Sequence, residues 1–294
     1  MTDNRIDART RVFEVHRPRL VRLAYRMLGS LTEAEDIVQD AWLRWRGSGD
    51  GIENPEAYLS RIVSRLCLDL MKSARARHEV HVGVWLPEPL VETYEETRAD
   101  DVTLTLMLAL ERLSPLERAA FLLHDVFDME TNDIAASLER SPAAVRQLAA
   151  RARKNIRAEK SRFPVSREEG DRLVQAFFTA AKSGDIASLK TILADDGVIR
   201  SDGGGRVHAF LNPIVGIDRV LRLYAALARK RAGEDFVMLQ PMWIDGLPGF
   251  ATYERGGLLQ TTALEIEDGR VTAIYITRDP EKLTSVRNLL SIAE

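Results

Sequence analysis

Apolar residues recur at helical spacing through the first 78 residues, and the pattern predicts three amphipathic helices there. The first covers Arg9–Leu28 and ends at Gly29. Pro18 is expected to mark a helix start or a kink, because proline has no amide hydrogen to donate. The third helix begins at Pro55, after a glycine-rich loop at 46–54. Its outward side is basic and carries Arg61, Arg65, Lys72, Arg75 and Arg77.

The second of these helices has two contrasting sides. Thr32 and Glu35 predict a capping box at its start. Its apolar side is formed by Ala34, Ile37, Val38, Ala41, Trp42 and Trp45. The other side presents Asp36, Gln39 and Asp40 at i, i+3 and i+4, an acidic and polar stripe suited to a basic partner. A merely solvated helix face is the alternative interpretation.

A helix-turn-helix is predicted at 133–157, DIAASLERSPAAVRQLAARARKNIR. Ser141 is suited to cap its second helix, and Pro142 to occupy the first turn. One side of that helix is an apolar stripe formed by Val145, Leu148, Ala149, Ala152 and Ile156. The opposite side carries Ala143, Gln147, Ala150 and Lys154, flanked by Arg146, Arg151 and Arg157. A narrow polar face between cations is typical of a helix that reads a DNA groove and contacts phosphates.

One feature of this motif leaves room for a second interpretation. Glu139 stands in the turn, where glycine is usual, and a left-handed conformation there costs about 1 kcal/mol. A buried bundle helix with a basic solvent face is therefore the alternative to a DNA-reading helix.

The pattern changes after residue 165 and predicts an α+β domain. Helices are expected at Glu168–Ser183, Ile186–Ala194 and Ile217–Arg231. The expected strands are Val198–Ser201, Glu234–Trp243, Phe250–Arg255, Leu258–Glu267 and Val271–Thr277. The Glu267-Asp268-Gly269 sequence between the last two strands predicts a hairpin turn.

Charge is distributed locally along the 294-residue chain, although the net charge is only −3. Between Arg140 and Arg162 there are eight Lys or Arg residues and one Glu, whereas Glu88 to Asp101 holds six acids and one Arg. The single cysteine, Cys67, lies in an apolar pattern and is interpreted as a buried structural thiol. With no signal peptide and no apolar run near the ~20 residues of a membrane span, the protein is expected to be cytoplasmic and free of membranes.

Two segments resemble a known family. AEDIVQDAWLRW at 34–45 and NPEAYLSRIVSRLCLDLMKSARARHE at 54–79 resemble the σ2 domain of extracytoplasmic-function (ECF) sigma factors. LSPLERAAFLLHDVF at 113–127, followed by the helix-turn-helix, resembles their σ4 domain. Together these segments cover about half of the chain in the order of the family.

The resemblance implies partners and site residues. Core RNA polymerase, through its β′ clamp and β flap, and promoter DNA are the implied partners. Core polymerase binding is assigned to Asp36, Gln39, Asp40 and Leu43. Recognition and opening of the −10 element is assigned to Asn54, Arg61, Arg65, Lys72 and Arg75. Reading of the −35 element is assigned to Ser141, Ala143, Arg146, Gln147, Ala150, Arg151 and Lys154.

Three further motifs resemble the SigJ-like subgroup, ECF sigma factors with a fused C-terminal SnoaL-like domain. They are WLPEP at 85–89, DGGGR at 202–206, and Asp279-Pro280-Glu281-Lys282-Leu283, where Asp stands in place of the usual Asn. The subgroup implies control in cis by the fused domain and no dedicated anti-sigma factor. It also implies a multidomain fold: σ2 at 1–79, an acidic linker at 80–103, σ4 at 104–163, and a SnoaL/NTF2-like cone at 164–294.

WLPEP, interpreted as a rigid and exposed apolar element, and the DGGGR turn are expected to form a latch. Trp85 needs a surface to pack on, and Arg206 is placed to pair with Glu88 or another linker acid. The run Gly203, Gly204 and Gly205 is expected to let the linker backbone approach closely.

Two other functions remain open on the sequence alone. The cone domain is expected to be regulatory rather than catalytic, with no cofactor and no metal. An isomerase or cyclase is the enzymatic alternative, with Asp202 or His208 as base and Tyr224 or Tyr253 as donor. A helix-turn-helix regulator whose cone domain senses a small ligand of unknown identity is the other alternative, and the stripe on the second helix argues against it.

Overall fold

The computed structural model describes residues 2–49, 51–76, 83–91, 103–156, 165–230, 238–254 and 256–292, without the side chains of 2–7 and 74–76. The chain divides into two compact units. The first, here the helical unit, combines residues 1–79 with 106–159; the second, the sheet unit, combines 80–105 with 160–294. The two predicted sigma segments thus pack as one body, and the predicted linker packs with the C-terminal segment. Arg77, Arg157, Phe163, the acidic stretch 92–101 and the predicted strand start at 234–237 lie outside the described residues.

Three helices open the helical unit: α1 (Thr2–Leu28), α2 (Leu31–Arg46) and α3 (Pro55–Ala76). Helix α1 runs through Pro18, so the predicted start at that residue is wrong. The predicted capping box of Thr32 and Glu35 is also wrong. Ser30 is the N-cap of α2 instead, and its hydroxyl accepts the amide hydrogen of Glu33 at 3.2 Å. The N-cap of α2 therefore lies at Ser30, two residues before the predicted N-cap at Thr32.

Four further helices lie in the described residues 103–156: α4 (Leu104–Glu111), α5 (Pro115–Phe121), α6 (Thr131–Leu138) and α7 (Pro142–Ile156). Ser114 and Glu117 form a reciprocal capping box at the start of α5. A π-helical turn, Leu122–Val126, extends α5, and the sequence pattern did not predict it.

A buried arginine ties the two halves of the helical unit together. Arg118 is only 3% exposed, and it donates to the carbonyl of Leu110 at 3.0 Å and to that of Met27 at 2.7 Å. Its guanidinium also pairs with Glu111 at 2.7 Å. Because the carbonyls at a helix end have no partner within their own helix, this cation satisfies the end of α1 from within α5.

The sheet unit contains α8 (Arg167–Ser183), α9 (Ile186–Ile192), α10 (Ile217–Lys230) and α11 (Thr284–Ile292). Its strands are β1 (Leu193–Asp202), β2 (Ile214–Val215), β3 (Met238–Ile244), β4 (Leu247–Glu254), β5 (Leu258–Glu267) and β6 (Arg270–Thr277). They form one six-stranded sheet in the order β2-β1-β6-β5-β4-β3, in which β1 runs parallel to β6 and the other pairs are antiparallel. The core lies where Phe177, Tyr224 and Phe250 meet between helices and sheet.

The α+β prediction for this unit is confirmed, with local differences in the extent and number of its elements. Strand β1 begins at Leu193, inside the predicted second helix, and neither the short β2 nor α11 was predicted. The predicted hairpin is confirmed, since Asp268 and Gly269 join β5 to β6 with φ of 49° and 72°. Two successive positive φ values match the right-handed twist of the paired strands.

Candidate functional site

Helix α7 presents a polar and basic face to solvent, as its sequence predicts. The Ser141 hydroxyl accepts the Ala144 amide hydrogen at 3.2 Å and so caps the helix. The predicted apolar stripe, from Val145 to Ile156, is buried throughout. The exposed side carries Ser141, Ala143, Arg146, Gln147, Ala150, Arg151 and Lys154.

The turn before α7 adopts the strained conformation expected for its sequence. Glu139 ends α6 with φ 53° and ψ 49°, in the left-handed region. Its carboxylate pairs with Arg65 of α3, whose Nε also lies 3.4 Å from the carbonyl oxygen of Ser137. The non-glycine residue is therefore held by a partner on the neighbouring helix.

The cations on α7 differ in their surroundings. Arg153 donates to Asp125 at 2.7 Å and contacts His124, so it supports the π-helical turn. Arg151 remains 64% exposed, with its Nε 3.5 Å from a Glu117 carboxylate oxygen. The Ser114 hydroxyl hydrogen bond and, to a smaller extent, the Arg151 charge lower the pKa of Glu117. Glu117 thus orients the Arg151 side chain, which remains exposed to solvent.

Helix α2 carries the predicted acidic stripe on its solvent side. Asp36, Gln39 and Asp40 are exposed, while Ile37, Val38 and Ala41 are buried against the core. Leu43 continues the stripe and is 57% exposed, which is unusual for a large apolar side chain. Carboxylates around an exposed leucine fit a basic partner that also offers an apolar contact.

The cations predicted on α3 are engaged to different degrees. Arg61 lies over the Tyr58 ring, 5.1 Å from its centroid, Arg65 pairs with Glu139, and Lys72 lies 3.4 Å from Asp69. Asn54 caps the helix by accepting the Ala57 amide hydrogen at 3.0 Å. The Arg75 side chain lies outside the described part of the chain.

The WLPEP segment is bound by the C-terminal part of its own unit. Asp202 accepts the Leu86 amide hydrogen at 2.9 Å, and Lys282 donates to the Leu86 carbonyl at 2.6 Å and to Asp202 at 2.8 Å. Lys282 also lies over the Trp85 ring, 4.9 Å from its centroid. We call this set, Trp85 to Leu90 with Asp202, Asp245 and Lys282, the linker junction.

Asp202 is the charged centre of the linker junction and is 1% exposed. Burial on its own would raise the pKa of Asp202. The charge and hydrogen bond of Lys282, with the amides of Leu86 and Gly204, outweigh that effect and hold the pKa below its ordinary value. The carboxylate is therefore ionised at neutral pH.

Asp245 forms a second set of hydrogen bonds with the linker, which the sequence did not predict. It accepts the Leu90 amide hydrogen at 3.2 Å, its own amide donates to the Leu90 carbonyl at 2.9 Å, and its carbonyl accepts from Leu104 at 2.8 Å. Val91 forms a single antiparallel bridge with Ile244 beside it. The Asp245-Gly246 pair signals a hairpin turn in the sequence, but nothing local indicates a distant partner.

Three details of the predicted latch need correction. Leu86 is fully buried and Trp85 only partly, so Leu86 rather than Trp85 is the apolar anchor. WLPEP is not an exposed element, because Pro87, Glu88 and Pro89 are buried as well. Arg206 pairs with Glu281 at 2.5 Å and approaches Asp279 at 3.7 Å, whereas Glu88 lies 3.5 Å from the Ser285 hydroxyl.

The glycines of DGGGR make room for residues of the same domain and not for the linker. A Cβ on Gly204, whose φ is +64°, would lie 2.1 Å from an Asp279 carboxylate oxygen, and one on Gly203 would lie 2.1 Å from the Val207 carbonyl. Gly205 also has a positive φ, of 71°. In the 279–283 motif, Pro280 is half-buried and Leu283 is fully buried.

Of the four residues proposed for an enzyme, the structure brings His208 and Tyr224 to one cavity and places Asp202 and Tyr253 outside it. A cavity of about 350 Å³ in the sheet unit is lined by His208 and Tyr224 but by neither Asp202 nor Tyr253. Asp202, a predicted base on a flexible turn, is instead the buried end of β1 and forms an ion pair with Lys282.

Among the described residues no cluster of His, Cys, Asp or Glu could hold a metal ion, and none of their helices is long and apolar enough to cross a membrane. Cys67 is buried, which raises the pKa of its thiol.

Comparison with known proteins identifies the family. Residues 12–77 match the family model for sigma-70 region 2, and residues 103–156 match that for sigma-70 region 4. The ECF RNA polymerase sigma factor SigJ of Mycobacterium tuberculosis is 35% identical, over 92% of this chain and 92% of that protein. The chain belongs to the ECF RNA polymerase sigma factors. Sigma factors confer promoter recognition on RNA polymerase and are not enzymes, which agrees with the non-catalytic prediction.

A solved structure and a second relative define the extent of the likeness. The crystal structure of M. tuberculosis SigJ matches with a TM-score of 0.76 at 32% identity, covering 94% of this chain and 98% of that one. The ECF RNA polymerase sigma factor SigG of the same organism is 28% identical, over 63% of this chain and 59% of that protein. The likeness to SigJ therefore includes the sheet unit and both sigma regions.

Proposed function

We propose that this ECF sigma factor docks on core RNA polymerase through α2, reads and opens the −10 element with the 46–54 loop and α3, and reads the −35 element with α7. As a sigma factor it binds core polymerase and promoter DNA and starts transcription. The exposed stripe of Asp36, Gln39, Asp40 and Leu43 supports a contact with the β′ clamp. The polar face of α7 between Arg146 and Arg151 supports groove reading. The β flap would meet the σ4-like part.

The sheet unit acts as a regulator in cis. The observation that carries this proposal is the pair of hydrogen bonds from Lys282 to Leu86 and Asp202, because it fixes the segment that connects the two sigma regions. A linker held at 85–91 restricts how far the two DNA-reading helices can separate, and promoter elements demand a defined separation. Control built into the chain removes the need for a dedicated anti-sigma factor.

A small ligand in the cavity of the sheet unit is the second candidate function. It is favoured by the cavity itself, which has a volume within the range of ligand pockets and is lined by aromatic side chains. A ligand there would give the regulator a signal to respond to.

The polymerase contact is tested in the full chain by replacing Asp36, Gln39 and Asp40 together with alanine. These side chains are exposed, so folding should be spared and the far-UV circular dichroism unchanged. Association with purified core polymerase and run-off transcription should both be lost. The matched control replaces the exposed Asp195 and Asp196 of β1 with alanine and should transcribe normally. Normal polymerase binding by the triple variant would refute the assignment of α2.

A further inference from the structure

The cavity of the sheet unit is lined by neutral polar groups where it is most buried and by charged groups where it is more exposed. Ser201, Gln260 and Thr262 line its interior and are 2%, 7% and 2% exposed. The charged side chains of the lining are Lys230, which is exposed, and Glu254 and Arg278, which are partly exposed. Since a buried charge on a ligand would need a charged partner, the interior suits a molecule without charge.

Aromatic rings form much of the wall. Phe250 packs against Phe177 and Phe178, with ring centroids 6.4 and 5.4 Å apart, and Tyr224 meets Phe177 edge-on. A wall of aromatic rings favours a ligand that is itself aromatic, because ring–ring contacts contribute beyond the burial of apolar area. The hydrogen-bonding groups are few: Gln260 donates to Thr262 at 3.3 Å. Alternation along β4 also places Thr252 on the same face as Phe250, and its fully buried hydroxyl has no hydrogen-bond partner among the described residues.

The sheet register places the cavity floor in one row across four strands. Phe250 pairs with Thr262, Thr262 with Ile276, and Ile276 with Ser201. These four residues all line the cavity.

The next row along the same strands points to the other face of the sheet. There Ala251 pairs with Thr261, Thr261 with Thr277, and Thr277 with Asp202. All four are buried, and Asp202 holds the linker. Successive residues of a strand project to opposite faces, so Ser201 touches the cavity and its neighbour Asp202 touches the linker.

The end of strand β6 and the residues that follow it also contact the cavity on one face and the linker junction on the other. Ile276 and Arg278 line the cavity, the Arg278 amide donates to the Asp202 carbonyl at 2.8 Å, and Asp279 fills the space beside Gly204. The ends of β1 and β6 are therefore shared between the cavity and the linker junction.

We propose that the cavity binds a small, uncharged, aromatic or fused-ring molecule bearing a hydrogen-bonding group, and that its occupancy tightens the hold of Asp202 on the linker through the shared ends of β1 and β6. This inference rests on the proposed control in cis by the sheet unit, and it identifies the bound molecule as the signal to which the sheet unit responds. Filling the cavity supports Ser201 and Ile276 from one side, which restrains the strand ends that position Asp202 on the other. By linkage, the linker junction must favour ligand binding to the same extent.

The test uses the full chain and prodan, a neutral naphthyl ketone whose fluorescence rises in apolar surroundings. Prodan should bind the wild-type protein, and Leu227→Trp, which fills the cavity from its partly exposed wall, should abolish binding. Ala226→Trp, on the exposed side of the same helix, is the control and should bind as wild type. Thr262→Val, which removes one hydroxyl and keeps the shape, should weaken binding about five-fold.

Coupling is measured by hydrogen exchange of the Leu86 amide with and without saturating prodan. Bound prodan should slow this exchange about five-fold, and Lys282→Met should weaken prodan binding by a similar factor. Absent binding, or binding that Leu227→Trp leaves intact, would overturn the cavity as a site. Binding at the cavity with unchanged Leu86 exchange and unchanged affinity in Lys282→Met would overturn the coupling. Transcription by Lys282→Met without prodan tests control in cis separately, so the two failures are distinguishable.

Discussion

Lys282→Met should release the linker while leaving the fold of the sheet unit in place. Methionine keeps the length of the lysine stem but cannot donate to Asp202 or to the Leu86 carbonyl, which now receive these bonds at 2.8 and 2.6 Å. Removing one partner of a buried ion pair costs about 3–5 kcal/mol, because the other charge remains without compensation. Here Lys282 is 18% exposed and Asp202 keeps the amides of Leu86 and Gly204. The expected loss is therefore smaller, about 2–3 kcal/mol.

A change of that size favours the released linker by about 25- to 150-fold. Hydrogen exchange of the 83–91 segment should accelerate by this factor, and transcription by reconstituted holoenzyme should change. The control is Lys190→Met on α9, which removes an exposed lysine from the same unit and should leave stability within about 0.5 kcal/mol.

Asp202→Asn completes the thermodynamic cycle. The neutral amide that this substitution introduces no longer requires a cation, so the double variant should lose less stability than the two single variants together. Strict additivity, or unchanged exchange of the 83–91 segment in Lys282→Met, would refute the account of Asp202 as a buried charge held by Lys282.

The same pair predicts a pH dependence with a defined sign. The folded pKa of Asp202 lies below the value in the unfolded chain, which is about 3.9. Its contribution to stability is therefore fully present above pH ~4 and is lost as the pH falls through the folded pKa. Loss of Lys282 raises the folded pKa of Asp202 in the variant, so the difference in unfolding free energy between wild type and Lys282→Met should shrink as the pH falls from the folded pKa in the variant to the lower folded pKa in the wild type.

Two further predictions concern the DGGGR turn and α7. Gly204→Ala should cost more than about 2 kcal/mol in thermal unfolding, because its Cβ would meet the Asp279 carboxylate at 2.1 Å, whereas Gly256→Ala, at φ +80° in open space, should cost only about 1 kcal/mol. Equal losses would show that backbone strain alone explains the glycine. On α7, Gln147→Ala should change base preference at one or two promoter positions by about 1–3 kcal/mol, while Arg151→Ala should weaken all promoters alike and flatten the salt dependence. Promoter-variant binding at several salt concentrations separates the two effects, and the reverse pattern would mean that α7 faces the DNA differently.

Local pattern determined the elements whose structure depends on neighbours in the chain. The stripe from Val145 to Ile156 and the stripe of Asp36, Gln39 and Asp40 follow from helical spacing alone, since each helix buries its apolar side. The Asp268-Gly269 turn follows from two residues that tolerate positive φ. The start of α2 was misplaced because several nearby residues can cap a helix, and only one of them forms the bond.

Tertiary structure alone decided which distant groups meet. Leu86 finds Asp202 across 116 residues and Lys282 across 196, and no spacing rule connects them. The sequence motifs identified the segments 85–89, 202–206 and 279–283. They also predicted an ion pair between Arg206 and a linker acid, whereas Arg206 pairs with Glu281. The reason is physical: an exposed arginine has many acids within reach at little difference in energy, while a buried carboxylate requires a specific partner. The parallel pairing of β1 with β6, which creates the site of Asp202 and places Ser201 on the opposite face, exists only once strands far apart in the chain have found their register.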